Sequence, residues 1–178
     1  MNRALFLDRD GIINVDHGYV YKPDEFEFVD GIFDVCRHAQ ELGLQLIVIT
    51  NQSGIGRGKY SEQQFLTLSS WMKKEFLKER IIITDVFFCP HHPTKGLDAY
   101  KVACKCRKPE PGMIFKAAEK HNIDLKQSIF IGDKVSDIKA AENAGVHNRI
   151  LVSGKYSDDG SITAHRIDSV CSAINHID

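Results

Sequence analysis

Short apolar runs alternate with stretches of helical periodicity along the whole chain, and this alternation constrains the fold more than any other feature. The expected strands cover residues 4–7, 44–50, 84–88, 128–131 and 149–152. The expected helices cover residues 31–42, 61–79, 111–121, 135–144 and 167–177. Strands that alternate with helices indicate an α/β fold with a mainly parallel sheet, and right-handed crossovers put helices on both faces. We therefore predict a three-layer, Rossmann-like fold.

Composition narrows the functional class. The 178 residues include 23 Lys and Arg against 24 Asp and Glu, a formal net charge of −1. This balance argues against a nucleic-acid or anionic-membrane binder, which needs a basic surplus. No apolar run reaches the roughly 18 residues of a membrane span, and the N-terminal apolar run is too short for a signal peptide. We expect one domain over residues 1–178, without a separate cap domain, acting as a monomer in the cytoplasm.

Polar side chains cluster just after the predicted strands. Ligands of α/β proteins bind beyond the carboxyl ends of the strands, so these residues are the first candidates for a site. The candidates are Asp8, Asp10, Thr50, Asn51, Gln52, Ser53, Asp133, Lys134 and Asp137, together with Arg107 and Lys108 before the helix at residue 111.

The residue types in this set suit phosphate ester chemistry. Carboxylates can hold Mg²⁺, which prefers oxygen ligands and keeps several waters. Thr50 and Lys108 can bind phosphoryl oxygens. One carboxylate can attack phosphorus, and a second can protonate the leaving oxygen and then activate water.

Each motif taken alone has a simpler explanation. Asp8-Arg9-Asp10 could be a turn with two solvated carboxylates, and Thr50–Gly54 an ordinary turn sequence. Lys108 could be a surface cation, while Asp133 and Asp137 could cap a helix. The convergence of four strand ends favours a site.

A second cluster lies in a stretch without helical periodicity, residues 89–110, which has the pattern Cys-x-His-x12-Cys-x-Cys. Three thiolates and one imidazole are the ligand set of a closed structural Zn²⁺ site. The candidate ligands are Cys89, His91, Cys104 and Cys106, with His92 as a competing imidazole and buried free thiols as the alternative. Cys36 and Cys171 fall on apolar helix faces and are expected in the core.

The segments LFLDRDG, TNQSG and GDKVSD, with Lys108 between them, resemble the four motifs of the haloacid dehalogenase phosphatase superfamily. Within it, the segments INVDHGYV, TNQSGIGRG, CPHHP and CKCRKPEPGM resemble the heptose bisphosphate phosphatases. The resemblance implies a Mg²⁺-dependent sugar bisphosphate phosphatase of ADP-heptose biosynthesis, with an aspartyl-phosphate intermediate and a zinc-stabilised loop. One departure is Ile12, where the superfamily commonly has threonine.

The resemblance also implies roles residue by residue. Asp8 would be the nucleophile, and Asp10 the general acid/base. Asp8, Asp10 (through its main-chain carbonyl) and Asp133 would hold Mg²⁺, with Lys134 adjacent. Thr50 and Lys108 would bind the transferring phosphoryl group, and Arg107 the sugar or its second phosphate. The remaining candidates for substrate contact are Asp16, Asn51, Gln52, Ser53, Arg57, His17, Tyr19 and Tyr21.

Three other functions stay open at this stage. Histidinol-phosphate phosphatases share the superfamily and the zinc loop. A zinc-stabilised binding module would need no catalytic residues, although the even charge argues against a nucleic-acid partner. A mutase-like phosphotransferase would need a sugar acceptor that outcompetes water in an uncapped site.

Overall fold

The computed structural model describes all 178 residues and contains one six-stranded sheet. The strands are β1 Ala4–Leu7, β2 Gln45–Asn51, β3 Ile83–Cys89, β4 Ile129–Gly132, β5 Asn148–Val152 and β6 His165–Ile167. Their order is β3-β2-β1-β4-β5-β6, and every neighbouring pair is parallel. The strand order reverses at β1, so the carboxyl ends of β1, β2 and β4 border the crevice where α/β proteins bind ligands.

Four of the five α-helices begin and end near the residues that the sequence indicates, and the short helix Ser53–Gly56 was not predicted. The five helices are α1 Ile32–Glu41, α2 Ser53–Gly56, α3 Glu62–Lys78, α4 Gly112–His121 and α5 Val135–Ala144. Ser61 and Gln64 form the expected capping box, because each side chain accepts a hydrogen bond from the other residue's main-chain N–H. Gly145, with a φ of +86°, ends α5 in the left-handed conformation. None of the helices combines the length and the apolar character that a membrane span requires.

The sheet buries both of its faces. Leu5 and Leu7 point into a core with side chains of α1 and α3, whereas Ala4 and Phe6 point into a second core with side chains of α4 and α5. This alternation follows from the two-residue period of a strand. The three-layer prediction is therefore confirmed. Ile12, the departure from the superfamily motif, is fully buried in the first core.

The C-terminal prediction is wrong. Residues 167–177 do not form an α-helix: β6 ends at Ile167, and a 3₁₀ helix covers Val170–His176. With three residues per turn, Val170 and Ala173 share the face that packs on the core. Cys171 therefore faces outward and is exposed, contrary to the expectation, whereas Cys36 is buried as expected.

Candidate active site

A buried lysine joins the ends of three elements. The Lys108 Nζ atom lies 2.8 Å from Asp8 Oδ1 at the end of β1 and 2.7 Å from Asp137 Oδ1 in α5. It also donates to the main-chain carbonyl of Ile49 in β2, at 2.8 Å. The three charged side chains are at most 5% exposed. Lys108 is thus a structural counter-ion as well as a candidate phosphate ligand.

Asp133 completes a group of three carboxylates. Oxygens of Asp8, Asp133 and Asp137 lie within 4.8 Å of one another. Gly11 makes this approach possible, because a Cβ on this residue would come within 2.1 Å of Asp133 Oδ2. The second oxygen of Asp137 accepts from the N–H groups of Asp133 and Lys134, at 3.1 and 3.0 Å. Helix capping and ion pairing are therefore both functions of Asp137, and the sequence indicated only the first.

The charge balance of this group suits a divalent cation. Burial and then the neighbouring carboxylates raise the pKa of both Asp8 and Asp133 above the ordinary range. Burial opposes the charge of Lys108, but the two facing carboxylates hold its pKa above the usual value. Asp133 Oδ1 is buried without a hydrogen-bond partner. An oxygen-rich, negatively charged group with a free ligand atom fits Mg²⁺.

Asp10, two residues after Asp8, has a different set of contacts. Its carboxylate lies outside the three-carboxylate group. Its main-chain carbonyl accepts none of the main-chain hydrogen bonds and is free for a cation. The carboxylate itself is fixed by three donors: Arg9 Nη2 at 2.8 Å and Asn14 Nδ2 at 3.0 Å on one oxygen, and Gln52 Nε2 at 3.0 Å on the other.

Asn51, Gln52 and Ser53, at and after the end of β2, all line the cleft, and the first two also form hydrogen bonds inside the protein. Asn51 clamps the main chain of Lys108, accepting from its N–H at 3.0 Å and donating to its carbonyl at 3.2 Å. Gln52 is 2% exposed, and its amide is engaged inside the protein. These hydrogen bonds give both side chains positioning roles, and both residues also line the cleft, where the sequence predicts substrate contacts. The Ser53 hydroxyl has no such internal partner, and Ser53 lines the cleft.

The cleft next to these residues has a volume of about 300 Å³ and collects several of the predicted residues. Arg57 and Arg107 provide cations on its wall, and Arg57 Nη1 donates to the Tyr19 hydroxyl at 3.1 Å. Of the other loop candidates, His17 pairs with Glu27 in a separate hollow. The cleft lining is Arg9, Asp10, Asp16, Gly18, Tyr19, Asn51, Gln52, Ser53, Gly54, Arg57, Tyr60, Arg107, Lys134 and Tyr156.

The cysteine cluster is compact and contains no disulfide. The three sulfur–sulfur distances are 2.9, 3.2 and 3.5 Å. His91 Nδ1 lies 3.3 Å from Cys106 Sγ and 3.6 Å from Cys89 Sγ. Four soft donor atoms around one point fit a tetrahedral Zn²⁺ site.

The competing imidazole points elsewhere. His92 Nδ1 accepts hydrogen bonds from the main-chain N–H groups of Thr94 and Lys95, at 3.2 and 2.9 Å. The cysteine cluster also contacts the segment that leads to Lys108. The Arg107 N–H donates to Cys104 Sγ at 3.3 Å. The cysteine loop therefore positions Arg107 and, through it, Lys108.

Known proteins with similar sequences are phosphatases. The chain is 48% identical over 149 residues to a D-glycero-β-D-manno-heptose-1,7-bisphosphate 7-phosphatase of Vibrio cholerae, covering 84% of this chain and 80% of the relative. It is 52% identical over 151 residues to a D-glycero-α-D-manno-heptose-1,7-bisphosphate 7-phosphatase of Burkholderia mallei, covering 85% and 80%. The chain belongs to the heptose-1,7-bisphosphate 7-phosphatase family.

Two further comparisons place the family among the haloacid dehalogenase-like hydrolases. Residues 105–177 match the family model described as HAD-hydrolase-like. A D,D-heptose 1,7-bisphosphate phosphatase of B. bronchiseptica, solved with magnesium and phosphate, superposes with a TM-score of 0.84 at 27% identity and covers 97% of this chain and 96% of that one. The sequence-based identification of the superfamily is confirmed.

This family member carries one site contact that the sequence reasoning missed. The Tyr156 hydroxyl donates to Asp16 Oδ2 at 2.6 Å, and Lys155 Nζ lies 3.1 Å from the same oxygen. Lys134 Nζ lies 4.4 Å from the centre of the Tyr156 ring. The sequence did contain a signal for this contact. Residues 153–157 follow the predicted strand at residues 149–152, and the candidate set did not include the residues after that strand.

We predict that Mg²⁺ stabilises the protein more at high than at low pH. In the metal-free fold, the raised pKa of Asp8 and Asp133 makes the folded state retain protons that the unfolded chain releases above pH 3.8. The free energy of unfolding of the metal-free protein therefore falls as the pH rises, and a cation that replaces those protons restores it. The rise in melting temperature on adding Mg²⁺ should be larger at about pH 8 than at about pH 5.

Two variants sharpen this measurement. Asp133→Asn should show a smaller Mg²⁺-induced rise and a weaker pH dependence, whereas Asp30→Asn, at an exposed position outside the group, should match the unmodified protein. The same rise at both pH values would contradict the assignment of these carboxylates to the cation.

We predict that Cys104→Ser releases zinc and loosens the loop. Metal analysis should show loss of the stoichiometric zinc, and amide hydrogen exchange should speed up across residues 89–110, because the metal supplies the order that a core does not. Cys171→Ser, at the exposed free cysteine, is the matched control and should keep both properties. His92→Ala should keep zinc and His91→Ala should lose it; the reverse pattern would mean that the ligand set is wrong.

Proposed function

We propose that the protein removes the 7-phosphate of D-glycero-D-manno-heptose 1,7-bisphosphate, in the biosynthesis of ADP-heptose for the lipopolysaccharide core. The observation that carries this proposal is the group formed by Lys108 with Asp8, Asp133 and Asp137, at the strand ends of a chain that shares about half of its residues with heptose bisphosphate phosphatases. We also infer that residues 1–178 act as one catalytic domain, as a monomer and in the cytoplasm.

In the first half of the reaction, an Asp8 carboxylate oxygen attacks phosphorus. The bond between phosphorus and the sugar oxygen breaks, and the leaving oxygen takes a proton from Asp10. The three donors on the Asp10 carboxylate hold it in one orientation for this transfer. The product is an aspartyl-phosphate on Asp8 and the free sugar hydroxyl.

In the second half, Asp10 takes a proton from water, and the water oxygen attacks the phosphorus. The bond to Asp8 breaks, so inorganic phosphate leaves and the Asp8 carboxylate is restored. One group thus acts first as acid and then as base, which returns Asp10 to its protonated form for the next cycle.

Charge neutralisation is divided between the chain and a cation. Lys108 and the Thr50 hydroxyl bind the phosphoryl oxygens, and Lys108 stays charged because Asp8 and Asp137 face it. We propose that Asp8, Asp133 and the main-chain carbonyl of Asp10 hold Mg²⁺, with Lys134 adjacent. When bound, Mg²⁺ supplies Lewis-acid neutralisation of the phosphoryl charge.

Selection of a bisphosphate rests on the cations of the cleft wall. Arg107 is half-buried and lines the cleft, so its guanidinium can reach the sugar or its second phosphate. We propose that structural Zn²⁺, bound by Cys89, His91, Cys104 and Cys106, fixes the loop that carries it. Ser53 and Asp16 are the remaining candidates for contact with sugar hydroxyls.

The nucleophile is tested by Asp8→Asn. The amide matches the carboxylate in size but cannot form the aspartyl-phosphate, so turnover should fall by a factor on the order of 10⁴–10⁶. The melting temperature of the metal-free variant should not fall, because the substitution removes one of three crowded carboxylates. Asp30→Asn is the control for expression and handling. Near-normal turnover by Asp8→Asn would refute the role.

The substrate is tested by a direct comparison. We expect kcat/KM with Mg²⁺ to be higher for heptose 1,7-bisphosphate, assayed as both anomers, than for histidinol phosphate. The reason is that histidinol phosphate offers no second phosphate to Arg107. Arg107→Ala should therefore lower kcat/KM for the bisphosphate more than for a monophosphate. A higher kcat/KM for histidinol phosphate would replace the proposed substrate.

A further inference from the structure

One buried amide links the two motifs that handle the proton and the phosphate. Gln52 Nε2 donates to Asp10 Oδ2 at 3.0 Å and to Thr50 Oγ1 at 2.9 Å. Both hydrogens of this amide group are thus used, one on the general acid/base and one on a phosphoryl ligand. The position of this single nitrogen sets the position of two groups at once.

The other end of the amide is held by a tyrosine outside the superfamily motifs. The Tyr60 hydroxyl donates a hydrogen bond to Gln52 Oε1. Tyr60 is 6% exposed, and burial raises its pKa, so the phenol keeps the proton that it donates. Since the carbonyl end is occupied by this donor, the nitrogen end remains directed at Asp10 and Thr50.

The ring of Tyr60 is itself placed by close packing. It stacks on Tyr21, with ring centres 5.3 Å apart and planes at 9°. A Cβ on Gly54 would lie 2.3 Å from the Tyr60 ring, so only glycine at this position of α2 lets the ring reach Gln52. The chain then enters α3 at the Ser61 cap, directly after Tyr60.

We propose that Tyr60 is a positioning residue of the phosphatase reaction, whose hydroxyl holds the Gln52 amide so that it orients Asp10 and Thr50 together. This inference rests on the proposed function, because it takes Asp10 as the general acid. Tyr60 touches no reacting atom, and its effect passes entirely through Gln52.

The role has a kinetic signature that a structural role lacks. A general acid matters most when the leaving oxygen is a poor leaving group, and least for nitrophenolate, which departs without a proton. If Tyr60 acts through Asp10, removal of its hydroxyl should make kcat/KM depend more steeply on leaving-group pKa. A general loss of stability or of active protein would lower kcat/KM by the same factor for all substrates.

The experiment measures kcat/KM of the full chain with Mg²⁺ for a series of substituted phenyl phosphates. For Tyr60→Phe we expect the loss in kcat/KM with the poorest leaving group to exceed the loss with p-nitrophenyl phosphate by about tenfold, the effect of one hydrogen bond on Asp10. Any loss through Thr50 is common to the whole series and leaves the slope unchanged. Tyr100→Phe is the matched control, since it also removes one tyrosine hydroxyl, which donates only to Glu62 at an exposed position. It should keep the slope of the unmodified protein.

Two further variants make the result decisive. Gln52→Leu should steepen the slope at least as much, and Tyr60→Phe should add no further change in that background, because the two residues act in series. An unchanged slope in Tyr60→Phe, or additive effects in the double variant, would overturn the proposal. The series contains no sugar, so failure to hydrolyse heptose bisphosphate would refute the proposed substrate and leave this result intact.

Discussion

The ion pairs of Lys108 hold the site together, and the rest of the structure is arranged around them. A lysine that is 3% exposed can remain charged only because Asp8 and Asp137 face it. Removing the lysine charge from this buried group would cost about 3–5 kcal/mol, because it leaves the facing carboxylates uncompensated. The contact joins β1, β2 and α5 through one side chain, so the geometry of the reacting carboxylate depends on the placement of residue 108. The positive charge also offsets only one of three carboxylates, which leaves the group suited to a divalent cation.

The placement of Lys108 depends in turn on the loop that precedes α4, which has almost no apolar core of its own. Two devices replace the core. The cysteine cluster ends at Cys106, two residues before the lysine, and Asn51 clamps the lysine main chain from both sides. A metal-bound cluster would therefore act on catalysis without touching substrate, by fixing the direction in which the chain leaves Cys106.

Most of the fold could be read from the sequence because its signals are local. The five predicted strands and the ends of α3 and α5 follow from apolar runs, a capping box and a terminal glycine, all of which operate within a few residues. The C-terminal segment failed because Ile167 and Val170 are apolar at helical spacing, although the sheet edge beside β5 takes the first of them as a strand residue. The candidate site followed the same pattern: strand ends identified the carboxylates, but no local signal showed that the Asn51 and Gln52 amides form internal hydrogen bonds. Those roles depend on partners far along the chain.

Polar contacts join the segment after β5 to the opposite side of the cleft rim. The segment after β5 reaches Asp16 through Tyr156 and Lys155, and Lys155 is 57% exposed. Ion pairs with a solvent-exposed partner contribute about 0–1 kcal/mol each, so the Lys155–Asp16 pair adds little to the stability of the fold. Breaking the buried contacts of Lys108 and Gln52 below this link costs more free energy, because the separated groups would be left without partners away from water. The candidate site thus combines a floor of buried polar contacts, where the proposed phosphoryl and proton transfers would take place, with a rim held by partly exposed ones.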